Sequence, residues 1–539
     1  MTRKLLLLIC CLTMVSSVVA QTLLVHQGQT AIAYPATNEA VNFDEKTFSI
    51  NGNSYAINTT DSICTSSLAV ADNTVSITYA NTTAQVIVAA NVAPLLSIQV
   101  NGAHVSVMQS SNVTSEITYT LQGTSSDGSF WMDGSLKATV ALNNLNLTCA
   151  DSAAVNIRNG KRINIILTDG TINTLADGKN GSQKGCLMVK GHSEFKGNGS
   201  LFLTGNTQHA FWGGEYVELK KSTGTITVTS AVKDAFNINQ YFSMKGGTVL
   251  VKTAGDDGIQ VSRTDDETDD LNGQFYLSGG TLTIYASGKG ICAADNLYIN
   301  GGELNVICSG GEGSEGIESK KEIYITDGTI VVNSYDDAIN AANKIDISGG
   351  RIYAYATNND GIDSNGMLYI SGGLVIATGT NQPEEGFDCD QNTFSITGGT
   401  LIGIGGSSST PTSSVTTQPV TLLSRMSLTQ GKQLTLQTSD GTLIWSFLIP
   451  RTLNQATILI STPQLSVGSS YTLTTGGTLS DGVTWQGYTT DATASGGSTL
   501  STFTQSSIVN GSGSSMGGGG GPGGGGGPGG GGGPGGRPW

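Results

Sequence analysis

Between Gly246 and Gly406 one pattern is written seven times. Each copy opens on a Gly pair or its equivalent: Gly246-Gly247, Gly279-Gly280, Gly301-Gly302, Asp327-Gly328, Gly349-Gly350, Gly372-Gly373 and Gly398-Gly399. Counted at the second Gly, the spacings are 33, 22, 26, 22, 23 and 26 residues. A period in the twenties is the signature of a solenoid, in which each unit buries its apolar face only against its neighbours. After the glycines, apolar and polar residues alternate, as in Thr281-Leu282-Thr283-Ile284 and Thr329-Ile330-Val331-Val332. Period two means strand. A second short strand follows around an acidic-Gly-apolar triplet, and a third reads apolar-x-Ile, as in Leu297-Tyr298-Ile299. Three strands in about 22 residues leave no room for a helix, so each unit is a β-helix coil. The fold class expected is all-β, a right-handed parallel β-helix with small β elements at both ends. About nine or ten coils should run from near Asp127 to Gly406, with Leu282, Leu304, Ile330, Ile352, Val375 and Leu401 pointing inward.

The triplet carries the chemistry. Its versions are Asp234-Ala235-Phe236, Asp257-Gly258-Ile259, Lys289-Gly290-Ile291, Glu315-Gly316-Ile317, Asp337-Ala338-Ile339, Asp360-Gly361-Ile362 and Glu385-Gly386-Phe387. With coils in register, equivalent residues stand roughly 4.8 Å apart, and six of the seven first positions form a carboxylate ladder. Two unit charges at that distance repel by roughly 1 kcal/mol in water and by about 3 to 4 kcal/mol at an effective dielectric near 20. A bound cation would offset this. The residue one past the triplet adds oxygens of the kind hard divalent ions take, in Asn237, Gln260, Glu318, Asn340, Asp363 and Asp388, interrupted by Cys292. The alternative is that these polar residues line solvated turns, or that an Asn ladder stabilises the stack.

The remainder of the chain frames this region. Met1 to Ala20 combines Arg3-Lys4, an apolar run and Val18-Val19-Ala20, the form of a secretory signal peptide cleaved near Ala20. No later run is apolar enough to span a bilayer, so a secreted or cell-surface protein is expected. Removing Arg3 and Lys4 leaves 24 basic residues against 41 acidic ones, a net charge of −17, which makes nucleic acid a poor partner. The six remaining cysteines leave disulfides and buried thiols both open, and none has zinc-ligand spacing. The expected layout is a signal peptide at 1–20, an N-terminal β region at 21–126, the solenoid at 127–406, a linker at 407–418, a C-terminal β cap at 419–510 and a Gly/Pro-rich tail at 511–539, in a monomer. Residues 264–270 place five carboxylates in a loop that is either a solvated surface or a cation site.

The repeats, the Asp256 to Ile259 and Asn359 to Asp363 segments and Lys220-Lys221-Ser222-Thr223-Gly224-Thr225 resemble a family of secreted bacterial proteins. It is the carbohydrate-binding parallel β-helix family first described from a cellulolytic clostridium, with relatives in gut Bacteroidetes, and the resemblance covers roughly Ser115 to Thr475. It implies a pectate-lyase-like fold, bound Ca2+, and non-catalytic binding of acidic plant polysaccharide and cellulose. Lys289, at a position otherwise acidic, departs from the pattern. The calcium ligands expected are Asp256, Asp257, Glu315, Glu318, Asp336, Asp337, Asp360, Asp363, Glu385 and Asp388.

Two other functions fit the residues. A calcium-dependent polysaccharide lyase needs a basic residue to remove the proton at C5 of a uronate, and Lys289 beside the acidic ladder is the candidate. The histidines, His26, His104, His192 and His209, are scattered outside the regular coils and offer no base. A structural adhesin without a specific glycan is the second alternative. Sugar binding is expected at the outward middle position of the third strand, where Tyr276, Tyr298, Tyr324 and Tyr369 fall in one column and flat phenol faces suit the C–H faces of sugars. Tyrosine is also simply a good strand residue that stacks on its neighbours.

Overall fold

A computed structural model describes residues 21–36, 41–266 and 268–513; the expected signal peptide and almost all of the Gly/Pro-rich tail lie outside these. Among the described residues the chain is all-β, its helical content limited to two 3-10 turns at Ile57–Thr59 and Ala93–Leu95. The seven-fold repeat is a stack of parallel coils, each with a glycine-led strand, a triplet strand and a third strand. In one coil these are Thr281–Ala286, Ile291–Ala293 and the start of Leu297–Cys308.

The glycine pair is a backbone requirement. The second glycine turns the chain into the left-handed region, with φ of 87° at Gly280 and 86° at Gly350, a conformation that side chains resist. The first faces the preceding coil so closely that a Cβ at Gly349 would stand 2.1 Å from the carbonyl oxygen of Thr326. Inside, the expected aliphatic ladder is present. Leu282, Leu304, Ile330, Ile352, Val375 and Leu401 pair successively in register and are all buried.

The solenoid is longer than expected. The triplet strands belong to a sheet of thirteen, of which only Leu96–Asn101 runs antiparallel, leaving twelve parallel strands that begin at His104–Gln109. A second parallel column starts with Thr74–Ala80 against Ile117–Ser125. The first coil strands lie inside the expected N-terminal region because they lack glycine pairs while keeping apolar alternation, as in Val75, Ile77, Val105 and Val107, all buried.

Residues 407–418 are not a spanning linker. Backbone amides of Ser409, Thr412 and Thr417 donate to the carbonyls of Phe387, Phe394 and Ile396, so the segment lies along the last coil. Beyond it, Leu453–Ser461 pairs antiparallel with Thr400–Gly405 and covers the open strand edge, which would otherwise invite pairing with another chain. A six-stranded antiparallel sheet then folds against the outer face of the last glycine-led strands, where Tyr353, Ile376 and Ile402 are buried with Trp445 and Phe447.

Candidate functional site

The triplets stack as expected. The amide of each middle residue donates to the carbonyl of the next coil's first residue, from Ala235 to Asp257 O through Gly361 to Glu385 O. The middle position points into the core: a Cβ on Gly316 would meet Val332 Cγ1 at 2.0 Å, which demands Gly in that coil, while Ala235 and Ala338 are the buried methyls that other coils accommodate. The first residue therefore faces outward, and the second column, Asn237, Gln260, Cys292, Glu318, Asn340, Asp363 and Asp388, runs beside it in register.

Lys289 divides this ladder. Its Nζ contacts Glu315 and lies 3.1 Å from Glu318 Oε2, while Lys320 contacts the other Glu318 oxygen. Burial opposes the charge on Lys289, but Glu315 and Glu318 outweigh it and hold the ammonium well above its usual range. Glu315 and Glu318, expected as calcium ligands, are thus committed to lysines in this structure.

On the C-terminal side of Lys289 the ladder carries carboxylates without a basic partner among the described residues. Oxygens of Asp337, Asp360 and Asp363 converge within 4.8 Å of one another. Asn340 Nδ2 donates to Asp337 Oδ2 at 2.9 Å and to Asp363 Oδ2 at 2.7 Å, holding both in place. Among the described residues no lysine or arginine forms a salt bridge with this cluster. Burial, reinforced by the neighbouring carboxylates, raises the proton affinity of Asp337, Asp360 and Asp363. Glu385 is pushed up to about 8 by burial and by Asp388, and its Oε2 is buried without a hydrogen-bond partner. Asp388 accepts from Ser409 Oγ at 3.0 Å. Asp336 stands aside from the convergence, accepting from the Gly313 amide and Asn359 Nδ2. An all-oxygen donor set this rich in unpaired carboxylate matches the chemistry of a hard divalent cation.

A second convergence lies on the N-terminal side, where Asp256 and Asp257 meet Asp234. Burial, with Asp234 and Asp256 adding to it, pushes Asp257 up to about 7. His209, set apart from the coils by its sequence, occupies the ladder position one coil before Asp234. Its neighbours Ala210 and Phe211 pair with Ala235 and Phe236 as the triplet's second and third residues. The signal was the recurrence of Ala-Phe in Ala210-Phe211 and Ala235-Phe236. The second column also continues upstream through Trp212, Met188, Asn156 and Trp131, with Lys184 Nζ 4.7 Å from the Trp212 ring centroid.

On the third-strand face, Tyr276, Tyr298 and Tyr324 stack with centroids 4.9 and 5.1 Å apart and planes within 6°. Each ring covers part of its neighbour's face, leaving edges and hydroxyls outward. Asp346 separates Tyr324 from Tyr369. A second stack, His192, Tyr216 and Tyr241, has centroid spacings of 4.2 and 4.7 Å. The buried cysteines, Cys149, Cys186, Cys292, Cys308 and Cys389, are thiols.

Comparison with known proteins places these features in context. A family model described as carbohydrate-binding domain-containing protein matches residues 101–361 and 315–445, well over half of the 539-residue chain. A carbohydrate-binding domain-containing protein of Acetivibrio thermocellus is 29% identical over 126 residues, which are 22% of this chain and 43% of that relative. The match thus spans under half of the relative's length. Among solved structures, a polysaccharide lyase-like protein from C. thermocellum, a gadolinium derivative, is similar over 55% of this chain and 96% of its own, with 21% identity and a TM-score of 0.35. The chain belongs to the family of carbohydrate-binding domain-containing proteins.

Proposed function

We propose that the protein is exported and binds acidic plant polysaccharide of the polygalacturonate type, cellulose, or both, in a calcium-dependent manner and without cleaving it. The observation that carries this reading is the Asp337, Asp360 and Asp363 convergence flanked by Glu385 and Asp388, which has no basic partner among the described residues. These side chains would hold calcium, which when bound supplies coordination positions that a uronate carboxylate can share. Asn340 orients two of the ligands. The tyrosine ribbon at Tyr276, Tyr298 and Tyr324, with Tyr369 beyond Asp346, is the sugar-contact surface of the proposal, offering ring edges and hydroxyls. Lys289 supports binding over elimination, because a general base must be able to lose its proton and this ammonium is held between two glutamates. A glycan array probed with and without calcium tests the reading. Retention of polygalacturonate in calcium and its loss in chelator is the expected result; retention indifferent to calcium would sink it.

A further inference from the structure

We propose that His209, Asp234, Asp256 and Asp257 form a site for a divalent transition-metal ion of the Zn2+ type, separate from the all-carboxylate cluster at Asp337. Carboxylate oxygens from Asp234, Asp256 and Asp257 lie within 4.8 Å of one another. His209 stands beside Asp234 in the preceding coil, just outside that convergence: the residue is 8% exposed, and its buried Nδ1 lies 3.3 Å from Asp234 Oδ2 without a hydrogen bond to it, so that a small turn of the ring would bring it into the donor set. A buried imidazole nitrogen aimed at a carboxylate without hydrogen-bond geometry is an orphaned donor atom, and native interiors rarely leave one.

The chain also organises the carboxylates. Asn237 Nδ2 donates to Asp234 Oδ2 at 2.8 Å, the Asp257 amide to Asp234 Oδ1 at 3.2 Å, and the Lys289 amide to Asp257 Oδ1 at 2.7 Å. Such outer bonds fix the orientation of ligating groups. Gly288 stands directly against them, where any side chain would press on the carboxylates. A Cβ at Gly288 would come within 2.6 Å of Asp257 Oδ1 and 2.8 Å of Asp256 Oδ1.

The donor set decides the class of ion. The His209 nitrogen together with the three carboxylates would supply four ligands, the number Zn2+ takes, whereas calcium seeks six to eight oxygens. Imidazole favours zinc and its first-row neighbours over calcium. The two convergences thus differ in selectivity, with Lys289, Glu315 and Glu318 between them.

The test uses the full-length mature protein stripped with chelator and titrated with Zn2+ or Co2+ alone, without glycan. Wild type should take up one tightly held ion and, with Co2+, develop a visible absorption band. His209→Gln should lower that affinity at least tenfold and change the band, while the melting response to Ca2+ is unchanged. Asp256→Asn removes an exposed ligand with little risk to folding, and Gly288→Ala keeps all four ligands but presses a methyl against Asp256 and Asp257; both should weaken Zn2+ uptake. Zn2+ affinity and Co2+ spectrum unaffected by His209→Gln, or no uptake by wild type, would overturn the proposal and leave His209 and Asp234 as an ordinary buried pair. Failure here leaves the Asp337 reading intact, because that reading is scored with Ca2+ and glycan.

Discussion

Lys289 Nζ, standing where the other six regular triplets have a carboxylate, lies 3.1 Å from Glu318 Oε2 in the next coil. It also contacts Glu315, so one lysine neutralises parts of two columns. Removing one partner of a largely buried pair strands the other charge, at a cost of about 3 kcal/mol or more when burial is complete. Lys289→Ala should therefore lower stability in chelator, by about 2 kcal/mol because Lys320 still pairs with Glu318. Calcium should restore part of the loss, since the two freed glutamates extend the ladder. Chemical denaturation with and without calcium measures both effects. Polygalacturonate incubated with wild type should yield no unsaturated uronate; product that disappears in Lys289→Ala would replace binding by elimination.

The acidic cluster sets a pH dependence of unusual sign. Burial raises Asp337, Asp360 and Asp363, and Glu385 reaches about 8. These groups bind protons more tightly folded than unfolded, so in chelator their contribution to stability is full below the unfolded carboxylate range, about pH 4, and is lost progressively as pH rises through 7 and 8. Calcium replaces the protons, so its stabilising effect should grow over the same window. Melting curves at pH 5 and pH 8.5, each with chelator and with calcium, test this. A calcium shift equal at the two pH values would mean that these carboxylates do not carry it.

If Asp360 and Asp363 hold calcium, Asp360→Asn with Asp363→Asn should abolish the rise in stability, which for wild type is about 2.7 kcal/mol at a hundredfold excess over the dissociation constant. In chelator the double variant should be at least as stable as wild type, because two buried like charges are gone. A calcium shift that survives the double substitution places the ion elsewhere.

Much of this was legible because it is local. A φ near +86° at Gly350 and a core-facing Gly316 impose residue types that recur every coil, so strands, register and both outward columns follow from spacing alone. What the columns do not reveal is convergence. Asp336 and Asp337 are adjacent, yet only Asp337 points into the cluster. Glu315 matches the ligand pattern but is captured by a lysine one coil away. His209 was hidden because it puts an imidazole where the regular triplets begin with a carboxylate or lysine, in a coil without the glycine pair that marks the others. The covered outer face did leave a trace: along the column Thr283, Asn305, Val331, Tyr353, Ile376 and Ile402 the outward residues turn from polar to apolar where the C-terminal sheet packs.

The tyrosine ribbon separates two roles that a single variant can distinguish. Tyr276, Tyr298 and Tyr324 stack on one another, and their hydroxyls are tied locally, Asn296 Nδ2 donating to Tyr298 at 3.1 Å and Lys344 Nζ to Tyr324 at 2.8 Å. Stacked aromatic pairs contribute about 0.5 to 1.5 kcal/mol beyond area burial, so Tyr298→Ala with Tyr324→Ala should cost about 1 to 3 kcal/mol with or without calcium. The calcium-induced rise in melting temperature should stay the same, because the ribbon lies on a different strand from the carboxylates. If the ribbon contacts sugar, retention on acidic polysaccharide in affinity electrophoresis should drop at least tenfold at a temperature where the variant is fully folded. Unchanged retention would make the stack structural and shift the glycan to the triplet face, where a uronate carboxylate can reach the Asp337, Asp360 and Asp363 cluster directly.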